Sequence, residues 1–451
     1  MRVEKYKSII LSLLVLVSIF LTWRIWSYQP DYEESRDQSS QYIQVTTKDK
    51  QEVDSVIRPT EVIYHKNNQH YVTSSELEIS KVMKEITKWS YANFYDISSQ
   101  VSEDEFLDFV HGDGKTEIIF PEKVPLYLYN SVLQMEERNL PKGSFDRIIF
   151  SVNSKRNNQV YVYFISYADR KIYQCRVNAD NIDRFEQNTY RFASALYGDS
   201  AYEKHIIGKT RAVFLPEKNI KVPRVTYKTL DLEIERFKST LFNDPNYVKK
   251  TRVTRGEEYT EEFTDGFRLL NIYWDTMTMS YVNPTKETSY DGSPSQLIRN
   301  SLEFVNEHAG WDDSYRYAGF NPLDQKITYR MYMNGMPVFN ESGMSEIVQF
   351  WGQENVFQYS RPIFTLDFPI PIDDAKVKMP GGSEVLQELQ AVKNIKSELI
   401  QDIKIGYELK RNTEADNLVG LEPAWYYRYA GVWKKVPFGK PGGDIIGLEQ
   451  N

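Results

Sequence analysis

One cysteine, Cys175, in 451 residues excludes an internal disulfide. It also excludes a lipobox, a CxxC redox pair and a thiolate metal cage. Histidine is almost as scarce: His65, His70, His111, His205 and His308 are the five, and no pair has HExxH spacing. There is no GxSxG nucleophile elbow and no Walker loop. HGDGK (111–115) lacks the spacing and the hydroxyl residue after the lysine, and reads as a polar turn. PGGSE (380–384) needs only a turn before a helix capped by Ser383. Paired acids such as Asp312-Asp313 are too common in an acidic chain to indicate a glycosidase. His308 stands just before Trp311, Asp312 and Asp313, and the dipole at a helix end explains a histidine there. Cys175 lies in an aromatic-rich strand and reads as a small buried side chain. The residues give no catalytic constellation, no cofactor motif and no metal set. His65 and His70 flank a hairpin turn, but no carboxylate or thiol partner is legible, and two exposed hairpin histidines are the commoner arrangement.

Positive charge is in deficit as well. The formal net charge is −8. Arg2, Lys5, Lys7 and Arg24 against Glu4 give the first 28 residues +3, which leaves −11 for the remainder. Such a surface does not suit nucleic acid or an anionic wall polymer.

Against these absences stands one long apolar run, KSIILSLLVLVSIFLTWRIW (7–26). From Ser8 to Tyr28 only Arg24 interrupts it, and a helix of that length covers roughly 30 Å, the thickness of a bilayer core. Arg2, Lys5 and Lys7 precede it. Trp23, Arg24, Trp26 and Tyr28 form an interfacial flank at its far end. Thr22, Trp23, Arg24, Ile25 and Trp26 occupy the place where a signal peptide needs small residues, so an uncleaved anchor is expected. Positive charge stays inside, so the N-terminus is cytoplasmic and the rest extracellular. Stepping 100° per residue puts Ser8, Leu11, Ser12, Val15, Ser18 and Thr22 within one arc of about 120°. Small hydroxylated residues on one face permit close approach of a second helix. Serine and threonine that bond their own i−4 carbonyls would give the same pattern without a partner.

Five regions follow from the pattern: 1–29, cytoplasmic end and membrane helix; 30–55, a polar stalk; 56–215, 216–292 and 293–451, three α+β domains. In the first domain EVIYH and HYVT form a hairpin around Lys66-Asn67-Asn68-Gln69. Ser75 and Glu78 have capping-box spacing for a helix to about Trp89, and Ser102 and Glu105 repeat the device before EFLDFV. DRIIFSV, QVYVYFISY and KIYQCRV are three consecutive strands, and AVFLPEKNIKVP looks like a boundary. The second domain pairs a helix (232–242) with the strands TRVTR, EEYTEEF, FRLLNIYW and MTMSYV, with a turn at Asp265-Gly266. In the third, Ser293-Pro294 caps a helix to about His308. ITYRMYM, PVF, IVQFW, PIFTLDF, DIKIGYELK and AWYYRYAGVWKKV follow as strands, with turns at Asn334-Gly335 and Ala430-Gly431.

The N-terminal KSIILSLLVLVSIFLTWRIWSYQPDYE, together with RPTEVIYH (58–65), ITYRMYMNGMPVFN (327–340) and LEPAWYYRYAGVWKKV (421–436), resembles the YycH family of Gram-positive bacteria. The resemblance runs from anchor to C-terminus. It implies a single transmembrane helix followed by three extracellular domains of mainly antiparallel sheets with packed helices, the last two YycI-like. It implies a non-enzymatic regulator of the essential sensor histidine kinase WalK (YycG), which controls cell-wall metabolism, acting with a YycI-like membrane protein through transmembrane and extracellular contacts. It carries no catalytic residues. A homodimer stays open, as does the sign of regulation. The alternatives are an extracellular cell-wall hydrolase, which needs two converging acids, and a glycan- or peptide-binding module, which needs an aromatic-lined groove.

Overall fold

The computed structural model describes residues 13–18, 20–22 and 50–438, apart from 138, 154–158, 198–200, 209, 256–257, 285–291, 354, 372–374 and 413–416. Two compact units divide the chain, Met1–Tyr42 and Ile43–Asn451. In the first, residues 13–18 and 20–22 are helical and exposed. Among the described residues no helix is long and apolar enough to cross a membrane.

The second unit is α+β with mostly antiparallel sheets. Its first sheet has ten strands: β1 (Glu61–Lys66), β2 (Gln69–Thr73), β3 (Ser90–Asp96), β4 (Lys115–Pro125), β5 (Gln134–Met135), β6 (Ser144–Ser151), β7 (Gln159–Ser166), β8 (Lys171–Asn178), β9 (Ala201–Ile207) and β10 (Arg211–Pro216). Their order is β10-β9-β2-β1-β4-β6-β7-β8-β3-β5, and only β3 and β5 run parallel. The β1–β2 hairpin has the two-residue turn Asn67-Asn68, with Lys66 opposite Gln69. Both asparagines have positive φ, at 56° and 58°. That is the backbone a tight turn with the twist of the strands requires, and asparagine tolerates it.

Helices cover both faces of this sheet. After α1 (Val53–Val56), α2 (Glu76–Ile86) buries Ile79, Val82 and Ile86 on one stripe. Ile148, Phe150, Val162, Phe164 and Cys175 point to the same side, with Trp89 fully enclosed. Alternate residues Ile149, Ile165 and Ile172 face the other way, beneath Phe106 and Val110 of α3 (Phe106–His111). Two expectations fail in detail. Ser75 starts α2 without a side-chain cap; its backbone N–H, which Glu78 would take in a capping box, donates to Thr73 Oγ1 at 3.2 Å instead, Glu78 pairs with Lys81 at 2.7 Å, and the helix stops at Ile86. Before α3 the Glu105 carboxylate does reach back, accepting from Ser102 N and Oγ.

Beyond α4 (Leu126–Tyr129), α5 (Ala179–Asn188) and α6 (Ala193–Tyr197), the chain enters the second half. β11 (Ile220–Pro223) pairs with β23 (Lys376–Met379). The main sheet has fourteen strands. They are β12 (Val225–Asp231), β13 (Lys249–Arg255), β14 (Glu258–Thr264), β15 (Leu269–Tyr273), β16 (Thr278–Val282), β17 (Tyr315–Asn321), β18 (Lys326–Met333), β19 (Met336–Phe339), β20 (Glu346–Trp351), β21 (Val356–Pro362), β22 (Phe364–Ile370), β24 (Ile400–Arg411), β25 (Leu418–Tyr429) and β26 (Val432–Lys435). They run β13-β14-β15-β16-β21-β20-β18-β19-β24-β25-β12-β22, with β17 on β18 and β26 on β25. The meander of 249–282 therefore continues into the strands after residue 293, joined where β16 meets β21 with Tyr281 opposite Tyr359.

Three helices pack on this sheet: α7 (Ile234–Leu241), α8 (Pro294–Glu307) and α9 (Gly382–Ala391). Ser293 caps α8 as expected, accepting from Gln296 N. The cap of α9 is Gly381, so Ser383 lies inside the helix rather than at its start.

One hydrophobic core runs through both halves. Polar contacts stitch them: Gln51 exchanges two hydrogen bonds with the Asn306 amide, Arg316 donates to Glu76 at 2.7 Å, and Arg428 donates to Glu122 at 2.6 Å. Residues 50–56 thus pack onto the folded body, because Val53 and Val56 find apolar cover there.

Candidate functional site

Of the helix face read from the sequence, the structure describes Val15, Ser18 and Thr22. Thr22 Oγ1 donates to the Ser18 carbonyl at 2.8 Å, the i−4 bond that satisfies a hydroxyl within its own helix. Ser8, Leu11 and Ser12, and the flank residues Arg2, Lys5, Lys7, Trp23, Arg24, Trp26 and Tyr28, lie outside the described residues.

On the open face of the second sheet lies a cleft of about 2170 Å³, lined by β18, β20, β21, β24, β25 and β26. Phe339 stacks on Tyr426 at 4.0 Å and meets Trp433 at 5.5 Å. The Arg330 guanidinium covers the Phe339 ring at 4.6 Å and pairs with Glu346. The Phe339 and Tyr426 rings are buried against each other, so their faces are not offered to a sugar. Two of the cleft's acids, Glu346 and Glu408, are held in ion pairs. Glu408 receives Lys410 at 2.9 Å and Lys435 at 2.7 Å, which hold its carboxyl below the usual range despite partial burial.

The other polar concentration is inside the first sheet. Strand pairing places His65 opposite His70, and a hydrogen bond of 2.7 Å joins their Nδ1 atoms. His65 is buried, contrary to the expected exposed pair, because β1 lies between β2 and β4. A carboxylate partner does exist. Glu117 on β4, fully enclosed, takes His65 Nε2 at 2.6 Å and His111 Nδ1 at 2.5 Å on one oxygen, Oε1. Arg147 donates to the other oxygen at 2.7 Å. His111 Nε2 meets the Tyr167 hydroxyl at 2.8 Å, and that oxygen accepts from Ala212 N. Burial opposes the Glu117 charge, but His111 and Arg147 beside it hold the carboxyl well below its ordinary range. Burial pulls His70 and His111 each down to about 4.

The sequence did not disclose this cluster. HGDGK is a turn at Asp113-Gly114, as read, but the turn reading gave no sign that its histidine closes α3 facing inward and its lysine opens β4. TEIIFPEKV was not recognised as a strand. Its burial on both faces removes the alternation that marks strands, and this hid Glu117.

His308 sits at the C-terminal end of α8, as the helix-end reading placed it, and burial favours its neutral form. Its ring stacks on Phe304 at 3.9 Å, and burial pulls it down to about 4 against the Phe304 carbonyl on Nδ1. The unfolded chain therefore binds more protons. The contribution of a neutral His308 is complete above about pH 6.5 and is lost as pH falls toward 4. Replacing it with glutamine is expected to flatten the loss of stability between pH 7 and pH 5 by on the order of 1 kcal/mol, a figure reduced for its partial exposure. Denaturant melts at both pH values check this, and an unchanged difference rejects it.

The chain is an α+β body of two broad, mostly antiparallel sheets sharing one core. Its family is explicit in the matches: the model "YycH protein, N-terminal domain" covers residues 4–194 and "YycH protein, C-terminal domain" covers 210–443. The chain belongs to the YycH family, whose role is regulatory rather than enzymatic. It is 25% identical, over 98% of its length and 97% of the relative's, to the "Two-component system WalR/WalK regulatory protein YycH" of Bacillus subtilis (strain 168). The crystal structure of YycH from Bacillus subtilis matches its fold at a TM-score of 0.73, with 21% identity, over 87% of this chain and 99% of that one.

Proposed function

We propose that this chain is a membrane-anchored regulator of a WalK-type sensor histidine kinase, working beside a YycI-like partner. The observation that carries the reading is the match, over 98% of the chain, to a WalR/WalK regulatory protein. The apolar run at the N-terminus is its single membrane span, with the N-terminus cytoplasmic and the three-domain body outside. The last two domains are the YycI-like ones. Ser8, Leu11, Ser12, Val15, Ser18 and Thr22 form the face that meets the partner helix, and Trp23, Arg24, Trp26 and Tyr28 fix its depth. The external contact is the cleft around Phe339, Tyr426 and Trp433. The mutual stacking of Phe339 and Tyr426 removes the open ring faces that glycan binding needs and so favours the docking reading over a glycan site.

Replacing Ser12 and Ser18 together by leucine is expected to leave membrane insertion intact and to lower cross-linking to the kinase several-fold, since each interhelical contact contributes about 0.6–2 kcal/mol. Site-specific cross-linking in native membranes, with identification of what is captured, makes the test. Undiminished capture by the double variant rejects the helix face. Capture of no kinase by the native chain rejects the regulatory reading itself.

A further inference from the structure

We propose that His65, His111 and Glu117 bind one zinc-class divalent cation inside the first sheet. Two imidazole nitrogens, Nε2 of His65 and Nδ1 of His111, aim at a single carboxylate oxygen from two sides. The three ligand atoms lie within 4.8 Å of one another, and all three residues are buried. Two imidazoles and one carboxylate are a donor set that zinc takes where three protein groups hold it. Calcium and magnesium need several oxygens, and cuprous copper needs sulfur. Neither is on offer, since Cys175 belongs to β8, bonded to the Val162 carbonyl.

What distinguishes this set from an ordinary buried hydrogen-bond knot is the support behind each ligand. The far nitrogen of His65 rests on His70, the far nitrogen of His111 on Tyr167, and the far oxygen of Glu117 on Arg147. Each ligand is thus fixed in orientation by a second group, as in built metal sites. With a cation bound, His65 donates from Nδ1 to His70, and His111 donates from Nε2 to the tyrosine oxygen. Both lone pairs then face the ion. The Phe214 ring roofs the set, 5.3 Å from His65 and 5.2 Å from His111, and excludes water from that side.

The contacts of 2.5 and 2.6 Å correspond to shared protons. A cation about 2.0–2.1 Å from each ligand requires these atoms to part to about 3.2 Å, a step of roughly half an ångström per contact. Arg147 places a positive charge against the same carboxylate and subtracts from the affinity. The expected dissociation constant is therefore about micromolar rather than the far tighter value of a thiolate site.

The test uses the untagged full-length chain in detergent, stripped with a chelator. Zinc chloride is titrated by calorimetry, and cobalt(II) is followed by visible absorption. One ion per chain is expected, with the intense visible bands of a low-coordinate cobalt site. His111→Gln should weaken binding at least 100-fold, and Tyr167→Phe, which only removes support behind a ligand, about 10-fold. No visible cobalt bands, or a folded His111→Gln protein that binds as the native chain does, overturns the proposal and leaves a proton-bridged cluster. If His111→Gln does not fold, the native cobalt spectrum decides: low-coordinate bands that weaken with Tyr167→Phe support the site, and their absence or indifference to that change rejects it.

Discussion

Replacing Asp312 by alanine is expected to destabilise the body by about 3–5 kcal/mol, the range found when one partner of a buried ion pair is removed. Asp312 Oδ2 accepts from Arg361 Nη2 at 2.7 Å, and both side chains are almost wholly enclosed, at 3% and 1% exposure. Arg361 also donates to the Gly310 carbonyl, and Arg236 reaches toward the second carboxylate oxygen at 3.8 Å. Without Asp312 the Arg361 charge stays buried and loses its counter-ion. The loop after α8 then loses its tie to α7 and β21. Guanidinium unfolding of the single variant measures the loss. A double variant, Asp312→Leu with Arg361→Met, should recover a large part of it, because it leaves no buried charge behind. A single-variant loss under 1 kcal/mol would show that the pair is not what holds this loop.

Gly335→Ala should cost about 3 kcal/mol, for two reasons that a second glycine separates. Gly335 has φ +76°, in the turn between β18 and β19, and a methyl group there would come 1.9 Å from the Ser74 carbonyl oxygen. Ser74 belongs to the first half, so this turn plugs one half into the other. Gly343 has φ +79° with nothing near its methyl position. Gly343→Ala therefore carries backbone strain only, about 1 kcal/mol. Denaturation midpoints of the two variants give the comparison. The Gly335 variant should also be cut more readily by protease between the halves. Equal losses from the two substitutions would mean that the contact with Ser74 contributes nothing.

Legibility followed the range of each interaction. The turns at Asn67-Asn68, Asn334-Gly335 and Ala430-Gly431 were readable, because positive φ is a local demand met by few residue types. The Ser293-Pro294 start of α8 was readable for the same reason. The union of β16 with β21 was not, since Tyr281 and Tyr359 meet across a long stretch of chain that carries no local mark. Nor were Arg316 and Arg361, charged residues whose burial depends on partners far away in sequence, Glu76 and Asp312. The histidine–glutamate cluster was half readable: the hairpin put His65 beside His70, but nothing local announced that β4 would bring Glu117 to them. The cleft was not legible either, because its lining comes from strands and loops far apart in sequence, from Asn219 to Phe438.

The place of β12 has a consequence for how the chain is made. Val225 pairs with Leu421 and Asp231 with Phe364, so this strand lies between two that are made much later. Synthesis at about 5–20 residues per second leaves it waiting some tens of seconds for β25. The first sheet has all ten of its strands once Pro216 has emerged. The newborn protein thus spends its assembly time with one half hydrogen-bonded and the other carrying an open strand edge, which favours pairing with a neighbouring chain unless something shields it.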